Sequence, residues 1–297
     1  MEEKLKISSI ACDYTGFHGT LGSRQEWLAR AEKYTNILHN NFFRYPDTYI
    51  FGVRYCEMMY DEISQKKHVQ NELEYRMRLS EQQGLKIAFS IPQLHEHRLL
   101  EWQQFYNIFL KPKFASSLIN EIIVNDFGTL VFLYKNGVFG SKVTLGRSFD
   151  KTLRENRIDI TTIDKIGSNQ KMIETPPVSE AFYQELCKEY DVSGAELDSL
   201  PDGCLSLPKM DHFTWSIIYP KIVISKSSYC ELGSAFRNNR KFTLDECGKT
   251  CRVIYKSFYQ ENGRILFITE NTVCCKQVKP LEESVHGKVR LVYSEIL

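Results

Sequence analysis

Glu121-Ile122-Ile123-Val124-Asn125-Asp126-Phe127-Gly128 decides how the chain reads. Its apolar run is too short for a buried helix and is rich in β-branched residues, so it predicts a strand. The polar turn that follows leads into a helical pattern over about 129–136, with Asp126 placed to cap it. The unit is therefore strand, short loop, helix.

The same unit recurs in both directions. Upstream, 85–90 predicts a strand ended by Pro92, followed by helical patterns over 98–109 and 114–119. Before it, 48–53 predicts a strand, then a loop with Cys56 and a charged helix over 68–83. At the start, 6–11 predicts a strand, 13–23 a Gly-containing loop, and 24–39 a helix with Trp27, Leu28, Ala31 and Tyr34 at helical spacing. Downstream, 142–146, 158–160, 193–197 and 221–224 predict strands, with a helix over 178–190 that carries Phe182, Leu186 and Tyr190 on one face.

Eight candidate strands alternating with helices predict an α/β fold: one TIM-barrel-like (β/α) domain with a parallel sheet, closed or nearly closed. The 297 residues suit one such barrel, which needs about 250. We expect the barrel over 1–255 and, over 256–297, a short C-terminal β extension packed on the same domain.

The 38 basic and 37 acidic side chains leave a net charge of +1, so no global field draws the chain to nucleic acid or an anionic membrane. No apolar run approaches the ~20 residues of a membrane span. The N-terminus lacks the apolar core of a secretory signal, and the nine cysteines are odd in number, which makes a reducing cytoplasm the expected setting. There cysteine clusters bind metals more often than they form disulfides.

Three cysteines fall in one polar segment after the β-branched run at 222–224: Cys230, Cys247 and Cys251. If 221–224 is the eighth strand of a closed ring, its loop and the loop after the second strand flank the first strand, which brings Cys56 toward Cys230. Four thiolates suit either an iron-sulfur cluster or tetrahedral zinc, and the Cys247-x-x-x-Cys251 spacing alone leaves both open. Cys187 is read as a small apolar residue on a helix. Cys12 ends the first strand, and Cys204, Cys274 and Cys275 lack partners at useful spacing, although Cys12, Cys274 or Cys275 remains an alternative ligand.

Phe51-Gly52-Val53-Arg54-Tyr55-Cys56, Asn125-Asp126-Phe127-Gly128, Ser228-Tyr229-Cys230 and Asp245-Glu246-Cys247-Gly248-Lys249-Thr250-Cys251 resemble the collagenase-like peptidase family U-32, and within it the UbiV-like branch of ubiquinone biosynthesis. The resemblance implies a 4Fe-4S cluster on Cys56, Cys230, Cys247 and Cys251, and a paralogous family member as partner in a heterodimer. It also implies oxygen-independent hydroxylation of an aromatic or pathway-specific small molecule, with prephenate as oxygen donor. Related members modify RNA, a function the balanced charge disfavours. A scaffold in which the metal only staples loops is the non-catalytic alternative. No Gly-x-Ser-x-Gly or His-Glu-x-x-His motif supports a peptidase.

Polar residues at strand ends are the candidate substrate contacts: Asp13 and His18 after the first strand, Asp126 after the fourth, Arg147 after the fifth, and Glu196 and Asp198 in and after 193–197. Arg147 as a carboxylate grip and His18 as an acid-base group are the expected catalytic pair. For Asp126 a helix cap is the expected role.

Overall fold

A computed structural model describes residues 7–13, 46–150, 181–198, 207, 210, 212–226, 258–261, 264–269, 272–276 and 288–294. Its strands are β1 (Ile7–Asp13), β2 (Thr48–Gly52), β3 (Lys86–Ile91), β4 (Glu121–Val124), β5 (Gly140–Leu145), β6 (Val192–Asp198), β7 (Thr214–Lys226), β8 (Phe258–Glu261), β9 (Arg264–Thr269), β10 (Thr272–Lys276) and β11 (Lys288–Ser294). β1 through β7 pair in order, each parallel to the next. β11 then pairs parallel with both β7 and β1, which closes a ring of eight parallel strands. The expected TIM-barrel-like architecture is present.

One expectation is corrected. Residues 221–224 are not the eighth strand but the distal half of β7. The last strand of the ring is β11, which belongs to the C-terminal region expected to extend the barrel. β7 is 13 residues long. Residues 214–220 pair with β11, whereas 221–226 pair antiparallel with β10. The change falls at Pro220, whose missing N–H suits the point where a ladder is handed over. β10, β9 and β8 complete an antiparallel extension. The expected strand at 158–160 and helix at 24–39 lie outside the described residues.

The helices are α1 (Glu57–Gln65), α2 (Lys67–Gln82), α3 (Leu99–Phe105), α4 (Lys111–Ala115), α5 (Phe127–Lys135) and α6 (Ala181–Glu189), with a π-helical turn at Tyr106–Leu110 joining α3 to α4. Alternation along each strand separates two cores. Tyr49, Phe89, Ile122, Val143 and Trp215 face outward into one large apolar cluster with Trp102, Phe105 and Leu133 from the helices. Ala11, Ile50, Ala88, Ile123, Ile218 and Val292 face inward as a second, smaller cluster. Each fully buried Ile or Val stabilises the fold by about 1.5–3 kcal/mol.

The barrel interior is not wholly apolar. Arg290 on β11 and Glu121 on β4, four strands apart in either direction round the ring, form a two-point ion pair at 2.5 and 2.8 Å. Arg290 Nε also donates to Ser216 Oγ on β7 at 2.9 Å. The pair ties opposite walls together.

Candidate functional site

In parallel barrels the chemistry gathers where the strands end. β2 ends at Gly52, whose φ of +96° turns the chain, and Val53 N then donates to Ser90 O at 3.0 Å. That turn carries Arg54 inward, where it is 1% exposed. Its Nε donates to Asp13 Oδ2 at 3.2 Å, and its Nη1 pairs with Glu196 Oε2. β2 and β6 are also four strands apart, so this is a second tie across the barrel. Burial works against the Arg54 charge, but Asp13 and Glu196 more than offset it and hold the guanidinium protonated. Burial also raises the Glu196 carboxyl, with Arg54 opposing the rise.

Arg147 follows β5 and is buried. Its Nε and Nη2 both engage the Asp198 carboxylate, and Nη2 donates to Val223 O at 2.9 Å. Asp198 Oδ2 in turn accepts from Val223 N at 2.9 Å, and Asp198 N donates to Asp150 Oδ2 at 3.1 Å. The edge of Arg147 that suits a carboxylate is thus taken by the protein's own Asp198. The network fixes where β7 leaves the barrel. Asn125 braces the same rim, donating to Ile91 O at 2.7 Å and accepting from Ser148 N at 3.1 Å.

Tyr55, the residue after Arg54, is buried beside this network. The Arg147 guanidinium is 5.7 Å and the Lys221 ammonium 5.3 Å from its ring centre, and Val223 and Cys274 pack with it. Burial raises its phenol well above the usual range, with Arg147 and Arg54 acting in the opposite direction. At the rim, His95 Nδ1 stands 2.8 Å from Glu57 Oε1, the His95 backbone N donates to Glu57 Oε2 at 3.0 Å, and Arg98 pairs with Asp61.

Of the cysteine set, Cys56 is described: it is buried, sits in the large apolar cluster, and its carbonyl accepts from Tyr60 N at 3.3 Å as α1 begins. Cys230, Cys247, Cys251 and His18 lie outside the described residues, as does Cys204. β2 and β7 are separated by β11 and β1 rather than by one strand as expected, yet the distal half of β7 reaches Tyr55, the neighbour of Cys56. Cys274 and Cys275 point to opposite faces of β10, the first toward Tyr55 and the second toward Ile222. Burial pushes the Cys187 thiol up to about 12, which suits an inert apolar residue. Among the described residues, no group of three or more His, Cys, Asp or Glu is placed to hold a metal ion. No helix among them is long and apolar enough to cross a membrane.

Asp126 caps α5, accepting from Thr129 N at 2.7 Å and Thr129 Oγ1 at 2.8 Å, as expected. Asp13 and Glu196, both read as strand-end candidates, are brought together by Arg54, a residue to which sequence reasoning gave no role. Its signal is an arginine placed directly after a Gly-terminated strand. Comparison of the chain with protein-family models, curated proteins and solved structures finds no match.

Proposed function

We propose that this chain is an iron-sulfur subunit of an oxygen-independent hydroxylation system, acting on a small molecule at the C-terminal mouth of its barrel together with a paralogous partner. Cys56, Cys230, Cys247 and Cys251 are the proposed ligands of a 4Fe-4S cluster. The observation that carries this reading is the cluster of Tyr55 with Val223 and Cys274, which joins the neighbour of Cys56 to the strand that leads toward Cys230. Cys230 lies only seven residues beyond Val223, roughly 25 Å of fully extended chain. Cys56 is a buried thiol directly before α1, and a cysteine thiolate is the usual donor to an iron-sulfur cluster.

When bound, the cluster supplies one-electron chemistry. The polypeptide's part is to shape the mouth. Tyr55 and the distal half of β7 limit water access, and Arg54 with Asp13 and Glu196 presents fixed polar groups beneath them. Arg147 acts as a positioning residue through Asp198, and His18 supplies the acid-base group just past β1.

The test is anaerobic purification with iron, sulfide and zinc quantitation on the wild-type chain, Cys56→Ala and Cys230→Ala. About four irons and four sulfides per chain, lost in both variants, are expected. Zinc in a colourless protein overturns the reading in favour of a stapled scaffold.

A further inference from the structure

The two ion pairs that span the barrel differ in completeness. Arg290 and Glu121 meet at two points, and Arg290 Nε has Ser216 besides. Arg54 and Glu196 meet at one point. Arg54 Nη2 and Glu196 Oε1 are buried with no hydrogen-bond partner among the described residues, and so is Ser90 Oγ. Arg54 and Glu196 are each 1% exposed and Ser90 is 0%. Buried polar atoms in native proteins nearly always have a partner, so three orphans inside one barrel call for an occupant.

All three belong to the barrel interior. Phe89 and Ile91 face the outer cluster, so Ser90 between them faces in, and Glu196 lies between the outward-facing Ala195 and Leu197. Arg54 bridges to Glu196 from the far wall. Nη2 offers a donor, and Oε1 of the same pair offers an acceptor, or a donor when the carboxyl is protonated. Ser90 Oγ can do either.

Charge narrows the occupant further. Arg54 already faces two carboxylates and Arg147 a third, so a carboxylate ligand would meet no unmatched guanidinium here. All three residues are buried away from water, which strengthens each hydrogen bond and raises the cost of an unpaired charge.

We infer that the barrel interior at Arg54, Glu196 and Ser90 is a binding site for a compact, neutral molecule carrying a hydrogen-bond acceptor beside a donor, as in a hydroxy-carbonyl or amide group. This deepens the small-molecule part of the proposed function and rests on the mouth being the working end. It does not depend on the cluster, since it is read by binding and the cluster by metal content.

The probes are glycolamide, which is neutral, and glycolate, an anion of nearly the same shape. Both are titrated by calorimetry and saturation-transfer NMR against the full chain, Ser90→Ala and Arg54→Lys. Ser90→Ala removes one oxygen without altering the ion pair, so it keeps the test decisive even if Arg54→Lys fails to fold. Glycolamide is expected to bind the wild-type chain, glycolate at least roughly tenfold more weakly, and Ser90→Ala to weaken glycolamide by roughly tenfold. Absence of glycolamide binding, preference for glycolate, or unchanged affinity in Ser90→Ala overturns the inference. So does a crystal structure at saturating glycolamide in which an ordered water still bridges Nη2 and Oε1, since the site is then a structural water position only.

Discussion

Arg147 separates two roles that a sequence leaves superimposed. Its place after the fifth strand is legible, and so is that of Asp198, but nothing in the sequence pairs residues 51 positions apart. With both Nε and Nη2 on Asp198 and a further bond to Val223 O, its first role in the fold is to hold the β6 and β7 ends together. Removing one partner of a buried pair leaves the other charge uncompensated and typically costs about 3–5 kcal/mol. Arg147→Ala is therefore expected to lower the unfolding free energy by about that amount in urea titrations. Unchanged stability together with lost binding of a carboxylate substrate would return Arg147 to the gripping role. Arg54 is harder to foresee than either. An arginine after a strand is usually solvated, and only the left-handed turn at Gly52 aims this one inward.

At the scale of elements, Gly52 carries more of the architecture than its neighbours. A Cβ there would stand 2.2 Å from Ser90 O, the same oxygen that accepts from Val53 N. Gly52→Ala combines a left-handed backbone, about 1–2 kcal/mol, with an overpacked contact, about 1–3 kcal/mol. A loss of about 2–5 kcal/mol in thermal or urea unfolding is expected. A loss below about 1 kcal/mol would mean that the β2–β3 junction yields easily. Short apolar runs bounded by turn residues gave β2 to β6 away, because their alternation and flanking breakers agree. β7 was legible only in its distal half, since Pro220 interrupts Thr214–Lys226 at the point where the strand changes sheets. β10 is hard to see because Thr-Val-Cys-Cys-Lys has no polar alternation and small residues in place of large apolar ones.

Over the whole molecule, closure depends on the last strand in the sequence, and local pattern cannot reveal that. Residues 288–294 fall in the expected C-terminal β extension, but whether a strand there decorates the barrel or completes it depends on partners more than 60 residues away. The Arg290–Glu121 pair makes this closure sensitive to pH. Burial alone would raise the Glu121 carboxyl, but Arg290 and the Thr144 hydroxyl more than offset it, so it is held below the usual carboxylate range. A carboxyl depressed in the folded state contributes stability above its unfolded value, about 4.3, and loses that contribution as pH falls through the folded value. Unfolding free energy is thus expected to decline between about pH 5 and pH 3. Glu121→Gln should cost about 3–5 kcal/mol at pH 7 by leaving Arg290 buried beside a neutral amide. The variant should also show a shallower decline on the acid side, since the titrating group is gone. Urea titrations at pH 7, 5 and 3 measure both effects, and a variant that matches wild type in level and slope would show that the strands hold the ring closed without a charge tie across it.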